Sequence, residues 1–288
     1  MVGAVITHKD RIIGEGFTSP FGGPHAEVRA IRSVADPALL KEAALYVTLE
    51  PCCHYGKTPP CTNLILEVGI PKVVIGIRDP HEKVGGRGIE KLRAGGCKVE
   101  TRVLEEACRE HHRRFLTFHE KKRPYIILKW AQSADGFIAP ASRFRESSPE
   151  PYWISGKASR QLVHKWRSEE SAILVGTRTA LEDNPRLNTR LWTGQSPLRV
   201  LIDRKGRVPE DFHLLDGAVD TLVFYQGETT PKKRKKVHYK SLHEDSGVLE
   251  QILKSLWEEQ VLSVLVEGGV KTLKSFINAG LWDEARII

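Results

Sequence analysis

The amino-acid sequence predicts an α/β protein built from two domains. The chain has 288 residues, and about 150 residues is usual for one domain. Short apolar runs alternate with helical patterns, which is typical of sheets covered by helices. A charged segment interrupts this alternation near residue 120, and the alternation then restarts. We therefore expect one domain over residues 1–119 and a second over residues 120–288.

The elements of the first domain follow from the spacing of apolar residues and from turn residues. Pro59 and Pro60 precede a helical pattern, and proline is favoured where a helix starts. The predicted strands are Val2–Ile6 and Arg11–Gly16, which form a hairpin, then Ala44–Leu49 and Lys72–Ile77, and the predicted helices are His25–Val34, Cys61–Val68, Gly88–Ala94 and Leu104–His119.

The second domain begins after Glu120–Pro124, which is predicted as a linker. From there the β-branched runs and helical patterns alternate again. The predicted strands are Tyr125–Lys129, Ala172–Val175, Leu198–Asp203, Thr221–Tyr225 and Ser263–Val266, and the predicted helices are Lys157–Arg167, Leu249–Glu259 and Lys271–Ala279.

Composition excludes several classes of protein. Hydrophobic residues make up 40% and charged residues 28%, which is ordinary globular usage and argues against a disordered or collagen-like chain. No apolar run approaches the ~18 residues of a membrane span, and Met1–Val5 has no signal-peptide features. The five cysteines are an odd number, which disfavours a disulfide framework and indicates a reducing, cytoplasmic compartment.

The charge balance favours partners that carry phosphate. The net charge is 44 − 36 = +8, and a basic surface attracts nucleic acids, nucleotides and phosphorylated metabolites alike. Pro231–Val237 is a basic run of the kind found in nuclear-localisation or nucleic-acid-binding segments. A solvated loop is the favoured interpretation of this run.

Three residues predict a metal site. His25 offers one nitrogen, and Cys52 and Cys61 offer two sulfurs, a set that holds tetrahedral Zn²⁺ and leaves the fourth position to water. Such a metal lowers the pKa of its water. Glu27 is not needed as a ligand and is free to move protons to a leaving amine. His54 is an alternative fourth ligand, in which case the zinc is structural, and a packed cluster of cysteine and histidine is the other alternative.

The motifs H-x-E and P-C…C resemble those of the zinc nucleobase deaminases. Eight residues separate Cys52 from Cys61, whereas nucleic-acid and free-nucleoside deaminases usually have two between them. The longer loop resembles that of the bifunctional riboflavin-biosynthesis deaminase/reductase family, in which Cys53 corresponds to a serine and is a spare thiol. This resemblance implies that His54, Lys57 and Asp79 face the substrate. His81 stands where the family has asparagine.

The second half of the chain resembles the reductase domain of the same family. Its motifs are Lys129–Gly136, Trp153–Ser155, Val175–Thr179, Asp183–Arg190 and Val266–Gly269, in the family's order. The resemblance implies a cytidine-deaminase-like α/β/α domain followed by a dihydrofolate-reductase-like α/β domain. It implies contacts to NADPH from Ala131, Trp153, Thr179, Asp183, Gly269, Val270, Lys271 and Thr272. It implies contacts to the ribose phosphate substrate from Arg167, Leu187, Arg190 and Glu267.

These roles have physical reasons and alternatives. The backbone N–H groups after Glu267 are suited to cradle phosphates, because they open a helix. Arg167 and Arg190 are suited to clamp a phosphate bidentately, unless they are helix-surface arginines. Lys129 and Asp135 are an alternative structural ion pair, and Trp153 is an alternative core residue.

The resemblance implies a bifunctional enzyme of riboflavin biosynthesis that uses zinc and NADPH. The first domain is expected to deaminate a diaminopyrimidine ribosylamine phosphate, and the second to reduce its ribosyl group to ribityl. The rival interpretations are a nucleic-acid deaminase with an accessory domain and a non-catalytic zinc-binding module. We expect no nucleic-acid or membrane partner, and the resemblance allows a homo-oligomer.

Two further expectations concern loops and chain ends. Residues 140–152 are longer than the family usually has, so we expect a mobile loop over the reductase site, and Pro151 replaces a serine that contacts the substrate. The family carries a helix before Val2, and Asp283–Ile288 is expected to lie in a strand that further sheet follows. Both domains are therefore expected to be truncated at the chain ends.

Overall fold

The computed structural model of the chain describes residues 1–20, 22–56, 59–81, 85–140, 149–227, 233–243 and 247–288. The chain folds into two compact units, Met1–Glu120 and Lys121–Ile288. Lys57, most of the 140–152 segment and the first two residues of the basic run 231–237 lie outside the described residues. No helix of the described part is long and apolar enough to cross a bilayer.

The first unit is a mixed sheet with helices on its faces. Its elements are β1 Gly3–His8, β2 Arg11–Phe17, α1 Ala26–Ser33, β3 Ala44–Leu49, α2 Cys61–Glu67, β4 Lys72–Ile77, α3 Arg87–Ala94, β5 Lys98–Thr101, α4 Glu105–His111 and α5 Arg113–Glu120, with a 3-10 helix at Pro37–Glu42. The strand order is β2-β1-β3-β4-β5. β1 is antiparallel to β2 and β3, and β3, β4 and β5 are parallel.

The α1 helix lies very close to β2, and glycines in β2 allow this approach. A Cβ atom added at Gly16 would lie 2.2 Å from the carbonyl oxygen of Ala26, and one added at Gly14 would lie 2.5 Å from that of Ala30. Real Cβ atoms do not pack at such distances. The two glycines therefore set the position of the α1 start, which carries His25 and Glu27.

The long helix predicted over Leu104–His119 is two helices. α4 ends at His111 and α5 begins at Arg113. Between them His112 is buried, and its Nε2 lies 2.9 Å from Thr48 Oγ1 of β3. The His112 ring contacts β3 of the sheet, and the regular helix is interrupted at this residue. Helix periodicity alone does not show this tertiary contact.

The second unit is a parallel sheet with helices on both faces. Its elements are β6 Tyr125–Trp130, α6 Lys157–Glu169, β7 Ala172–Gly176, α7 Thr177–Asp183, β8 Leu198–Ile202, β9 Thr221–Tyr225, β10 Val237–Ser241, α8 Val248–Glu258, β11 Ser263–Gly268, α9 Val270–Asn278 and β12 Glu284–Ile287, with a 3-10 helix at His213–Leu215. The strand order is β10-β9-β8-β7-β11-β6-β12. Neighbouring strands are parallel throughout this order.

Alternate residues of the central strands form two separate cores. On β7, Ala172 and Leu174 pack in the core that includes α8 and α9, whereas Ile173 and Val175 pack in the core on the opposite face. This alternation explains why the strands are continuous apolar runs, as parallel strands buried on both faces usually are. The strand order reverses between β7 and β6, with β11 between them. Ligands of open parallel sheets bind outside the carboxyl ends of strands at such a point.

Three elements are absent from the sequence-based predictions, namely β5, β10 and α7. β5 and β10 lie at sheet edges, and their residues are mostly half-buried or exposed. Edge strands of this kind lack the long apolar run that marks a central strand. α7 follows β7 without an intervening loop residue, so the sequence has no turn signal there.

Candidate active sites

The first unit brings His25, Cys52 and Cys61 together. Nδ1 of His25 lies 3.5 Å from Sγ of Cys52 and 3.3 Å from Sγ of Cys61. Zinc bonds of 2.3 Å to sulfur and 2.0–2.1 Å to nitrogen, at a tetrahedral angle, place nitrogen and sulfur roughly 3.5 Å apart. All three ligand atoms lie within 4.8 Å of one another. The donor set and its spacing therefore fit a zinc ion with one open position.

Two helix starts direct these ligands. His25 is the residue before α1, in extended conformation, and Cys61 is the first residue of α2 after Pro60. The backbone N–H of Cys61 donates to Sγ of Cys52 at 3.3 Å. Hydrogen bonds from Cys61 and His25 lower the pKa of Cys52. A lowered pKa favours the thiolate, which is the form that binds metal.

Glu27 lies in the first turn of α1 beside the ligand group. Its side chain is buried, with 4% exposure. Burial raises the pKa of Glu27. Because His25 is still extended while Glu27 is helical, two residues that would face apart on a regular helix reach the same place.

His54 does not belong to the metal group. Among the described residues, the His, Cys, Asp and Glu side chains close enough to share an ion are His25, Cys52 and Cys61. The alternative of His54 as a fourth ligand is therefore wrong for this arrangement. Cys53 also lies outside the group, and burial raises its pKa.

Asp79 follows β4 at the carboxyl end of the sheet. Its Oδ1 accepts the backbone N–H of His81 at 2.8 Å, and burial raises the pKa of Asp79. The His81 ring packs edge-on against His119, with ring centroids 5.2 Å apart. The residue that replaces the family's asparagine is thus packed on α5.

The second unit joins Arg167 and Glu267 in a buried ion pair. Arg167 donates from Nε to Oε1 at 2.8 Å and from Nη2 to Oε2 at 2.7 Å. Although burial alone would raise it, the charges of Arg167 and Lys129 lower the pKa of Glu267 to about 2. Arg167 is buried, so the helix-surface interpretation is wrong for it.

The segment after α7 lies against this pair. Nη1 of Arg167 donates to the carbonyl oxygen of Asn188 at 3.3 Å, and Nη1 of Arg190 donates to Oδ1 of Asn188 at 3.1 Å. His164 is buried and its Nδ1 accepts the backbone N–H of Arg190 at 3.1 Å. Leu187 is also buried. The four residues that the resemblance assigns to substrate, Arg167, Leu187, Arg190 and Glu267, thus lie on adjoining elements.

The alternative ion pair between Lys129 and Asp135 does not form. Nζ of Lys129 lies 3.9 Å from Oε2 of Glu267 on the neighbouring strand. Asp135 instead accepts a hydrogen bond from the hydroxyl of Ser133. Parallel strands place Lys129 of β6 beside β11, a contact that the local sequence does not reveal.

A cavity of about 1230 Å³ opens at the carboxyl ends of β6, β7, β8 and β11. Of the residues predicted to contact NADPH, it is lined by Thr179, Asp183, Gly269, Val270, Lys271 and Thr272. Ala131 and Trp153 are not among its lining residues. Trp153 is half-exposed rather than a core residue, and the Arg160 guanidinium stacks 4.6 Å from its ring centroid.

Glycines allow two helix starts to pack closely together beside this cavity. A Cβ atom at Gly176 would lie 2.5 Å from Oγ1 of Thr272, and one at Gly269 would lie 2.9 Å from Oγ1 of Thr179. The α9 start itself lines the cavity at Gly269 and Val270. N–H groups at a helix start bind phosphate, so these residues fit the phosphates of a dinucleotide cofactor.

Several residues at these sites were not identified from the sequence. Arg204, Lys205 and Arg207 line the cavity beyond β8. Their position directly after a predicted strand could have identified them, because ligands bind at the carboxyl ends of parallel strands. Glu50 and His164 were missed because their importance lies in buried hydrogen bonds to distant backbone groups.

Family models match both units. The description "Cytidine and deoxycytidylate deaminase zinc-binding region" matches residues 1–77. The description "RibD C-terminal domain" matches residues 124–288, which is more than half of the chain.

Relatives match along almost the whole chain. Riboflavin biosynthesis protein RibD of Aquifex aeolicus is 39% identical over 285 residues, which cover 98% of this chain and 78% of the relative. A structure of a diaminohydroxyphosphoribosylaminopyrimidine deaminase/5-amino-6-(5-phosphoribosylamino)uracil reductase from Thermotoga maritima has a TM-score of 0.85 and 44% identity, covering 96% of this chain and 77% of that one. RibD of Acinetobacter baumannii has a TM-score of 0.87 and 34% identity, covering 99% and 79%.

The fold, the ligand group and the cavity define a two-domain protein in which a zinc-binding deaminase domain precedes a reductase domain. The predicted fold class, with a cytidine-deaminase-like domain and a reductase domain, is confirmed. The chain belongs to the RibD family of riboflavin biosynthesis proteins. The alternative of a nucleic-acid deaminase is not favoured, because the family match extends through the second unit.

The buried Glu267 predicts a specific acid sensitivity. Its folded-state pKa of about 2 lies below the ordinary value of 4.5. The stabilisation is therefore complete above pH 4.5 and is lost as the pH falls toward 2. The free-energy difference of unfolding between wild type and Glu267→Gln should shrink by about 2 kcal/mol from pH 6 to pH 3. Urea unfolding at each pH measures this difference.

The matched control is Glu258→Gln, which removes an exposed carboxylate from α8 of the same unit. Its difference from wild type should stay nearly constant over the same pH range. A Glu267→Gln difference that did not change with pH would contradict the ion-pair assignment.

Proposed function

We propose that the first unit deaminates 2,5-diamino-6-(5-phosphoribosylamino)pyrimidin-4(3H)-one and that the second unit then reduces the ribosyl group of the product to ribityl with NADPH. The observation that carries the proposal is the preassembled group of His25, Cys52 and Cys61 with buried Glu27 beside it. The dinucleotide-sized cavity of the second unit supports the reductive step. We place the functional boundary as predicted, with deamination in residues 1–119 and reduction in residues 120–288.

Glu27 is the proton carrier of the deamination. When bound by His25, Cys52 and Cys61, zinc supplies the Lewis acidity that makes water a nucleophile near neutral pH. The Glu27 carboxylate accepts a proton from the attacking water and delivers it to the amino group, which leaves as ammonia. Its burial keeps this proton away from bulk solvent.

Asp79, His54 and Lys57 are proposed to hold the pyrimidine substrate. Asp79 presents a half-buried carboxyl at the carboxyl end of β4, suited to accept hydrogen bonds from ring N–H groups. Lys57 is proposed to face the phosphate as a point charge.

NADPH supplies a hydride when it is bound in the cavity of the second unit. The α9 start at Gly269 is proposed to hold its phosphates, since it lines that space and N–H groups at a helix start bind phosphate. We propose the following contacts to the cofactor: Ala131, Trp153, Thr179, Asp183, Gly269, Val270, Lys271 and Thr272.

The ribose phosphate is proposed to lie beside the Arg167–Glu267 pair. Arg190 is exposed on the adjoining segment and is suited to contact the phosphate. Arg167 keeps two of its nitrogens on Glu267, which fixes the carboxylate beside the proposed position of the sugar. Leu187 supplies an apolar wall. The positive charge of the chain thus serves small phosphorylated ligands, and we propose a cytoplasmic location without a nucleic-acid or membrane partner.

Glu27→Gln tests the deaminase proposal. The amide has nearly the same shape but does not accept a proton from water and pass it on. Ammonia release from the diaminopyrimidine substrate should therefore fall by roughly 10²–10⁴-fold. Zinc content should stay at the wild-type level. NADPH oxidation with the already deaminated substrate should also be unchanged, because it occurs in the second unit.

Glu67→Gln is the matched control, since it removes an exposed carboxylate at the end of α2, and it should leave both activities at wild-type values. Ammonia release that survived Glu27→Gln with zinc intact would contradict the proposed role.

Arg207 is expected to help distinguish NADPH from NADH. It lines the cavity beyond β8 together with Arg204 and Lys205, whereas Arg204 already donates to Oε1 of Gln226 at 2.7 Å. An arginine near the ribose accommodates the 2′-phosphate that NADH lacks. Arg207→Gln should weaken NADPH binding about tenfold, or about 1.4 kcal/mol, and leave NADH binding unchanged. Fluorescence titration with each cofactor gives both Kd values.

Lys254→Gln removes an exposed cation from α8, outside the cavity lining. This control should change neither Kd. If Arg207→Gln weakened the binding of NADPH and NADH equally, Arg207 would not contact the 2′-phosphate.

A further inference from the structure

Glu50 is a buried carboxylate that no step above uses. It directly follows β3 and is 3% exposed. Its Oε2 accepts the backbone N–H groups of Asp79 at 3.2 Å and Gly86 at 3.0 Å. Its Oε1 accepts those of Gly88 at 2.9 Å and Ile89 at 3.2 Å. A single side chain from one strand thus binds two parts of the segment between β4 and α3.

The donors on the α3 side belong to the start of that helix. Gly86 is the residue before α3, and Gly88 and Ile89 lie in its first turn. The first N–H groups of a helix have no partner inside the helix, and the positive end of the helix favours a carboxylate. Glu50 satisfies these groups from a different element, and the N-cap residue Gly86 supplies no side-chain cap of its own.

The same side chain connects the metal group with the predicted substrate contact. Cys52 lies two residues after Glu50, and Asp79 is one of the residues whose N–H it binds. The two segments are also in close contact, since a Cβ atom at Gly88 would lie 2.3 Å from the carbonyl oxygen of Pro51. A shift of the Glu50 carboxylate therefore changes the position of Asp79 relative to the Cys52 loop.

We propose that Glu50 is a positioning residue for the deamination, which holds Asp79 at the correct distance from the metal-ligand loop. This inference rests on the proposed deaminase function. It differs from a purely structural role, because loss of positioning weakens substrate binding even where the chain folds and binds zinc. Misplacement of a binding group by about 1 Å is enough to reduce activity strongly.

The test compares Glu50→Gln, Glu50→Asp and the control Glu90→Gln in the full chain. Glutamine replaces one acceptor oxygen by an NH₂ donor that faces N–H groups, whereas aspartate keeps both oxygens on a shorter stem. Glu90 is an exposed carboxylate in the first turn of the same helix. Its variant removes the same charge without touching the buried contacts.

Four quantities are measured for each variant: zinc content, KM and kcat for ammonia release, and NADPH oxidation with the deaminated substrate. For Glu50→Gln we expect KM to rise about tenfold or more, kcat to fall by a smaller factor, and zinc content and NADPH oxidation to match wild type. Glu50→Asp should recover part of the KM, and Glu90→Gln should match wild type in every quantity.

A KM within about twofold of wild type for every Glu50 variant that folds would overturn the proposal, whatever happened to thermal stability or zinc content. Glu50→Asp provides this test even where Glu50→Gln fails to fold. The absence of ammonia release by wild type and Glu90→Gln would instead overturn the proposed deaminase function, and the positioning role with it.

Discussion

The sulfur of Cys52 is the atom on which the first site depends. It lies 3.5 Å from Nδ1 of His25 and accepts the backbone N–H of Cys61 at 3.3 Å. Both partners stand at helix starts, where the positive ends of the helices favour a thiolate. The close packing of α1 on glycines of β2 brings one helix start to this sulfur, and Pro60 opens the other. The contacts of the Cys52 sulfur thus depend on how the helices of this unit pack.

In the second unit, a buried ion pair joins residues that are distant in the sequence, as the metal group does in the first unit. Arg167 and Glu267 are 100 residues apart in the chain and form a buried bidentate pair. Breaking such a pair leaves an uncompensated buried charge, which is costly. The pair therefore holds α6 against the end of β11. The start of α9, which lines the cavity, follows directly after this strand end.

Much of the fold and of the metal group could be predicted from the sequence, because donor types and apolar periodicity are local. His25, Cys52 and Cys61 were identified from chemistry and spacing, and the structure brings them together. The alternative ion pair of Lys129 with Asp135 was wrong, because the partner of Lys129 is Glu267 on a neighbouring strand and not a residue nearby in the sequence. The break at His112 depends in the same way on a tertiary contact with Thr48. Glu50 was missed because its partners are backbone groups, which leave no residue pattern.

We propose that His25, Cys52 and Cys61, and not Cys53, hold the metal. Zinc content of the purified chain, measured for wild type, Cys61→Ser and Cys53→Ser, tests this most directly. The account predicts about one zinc per chain in wild type and in Cys53→Ser, and a large loss in Cys61→Ser. Zinc lost in Cys53→Ser but retained in Cys61→Ser would contradict it.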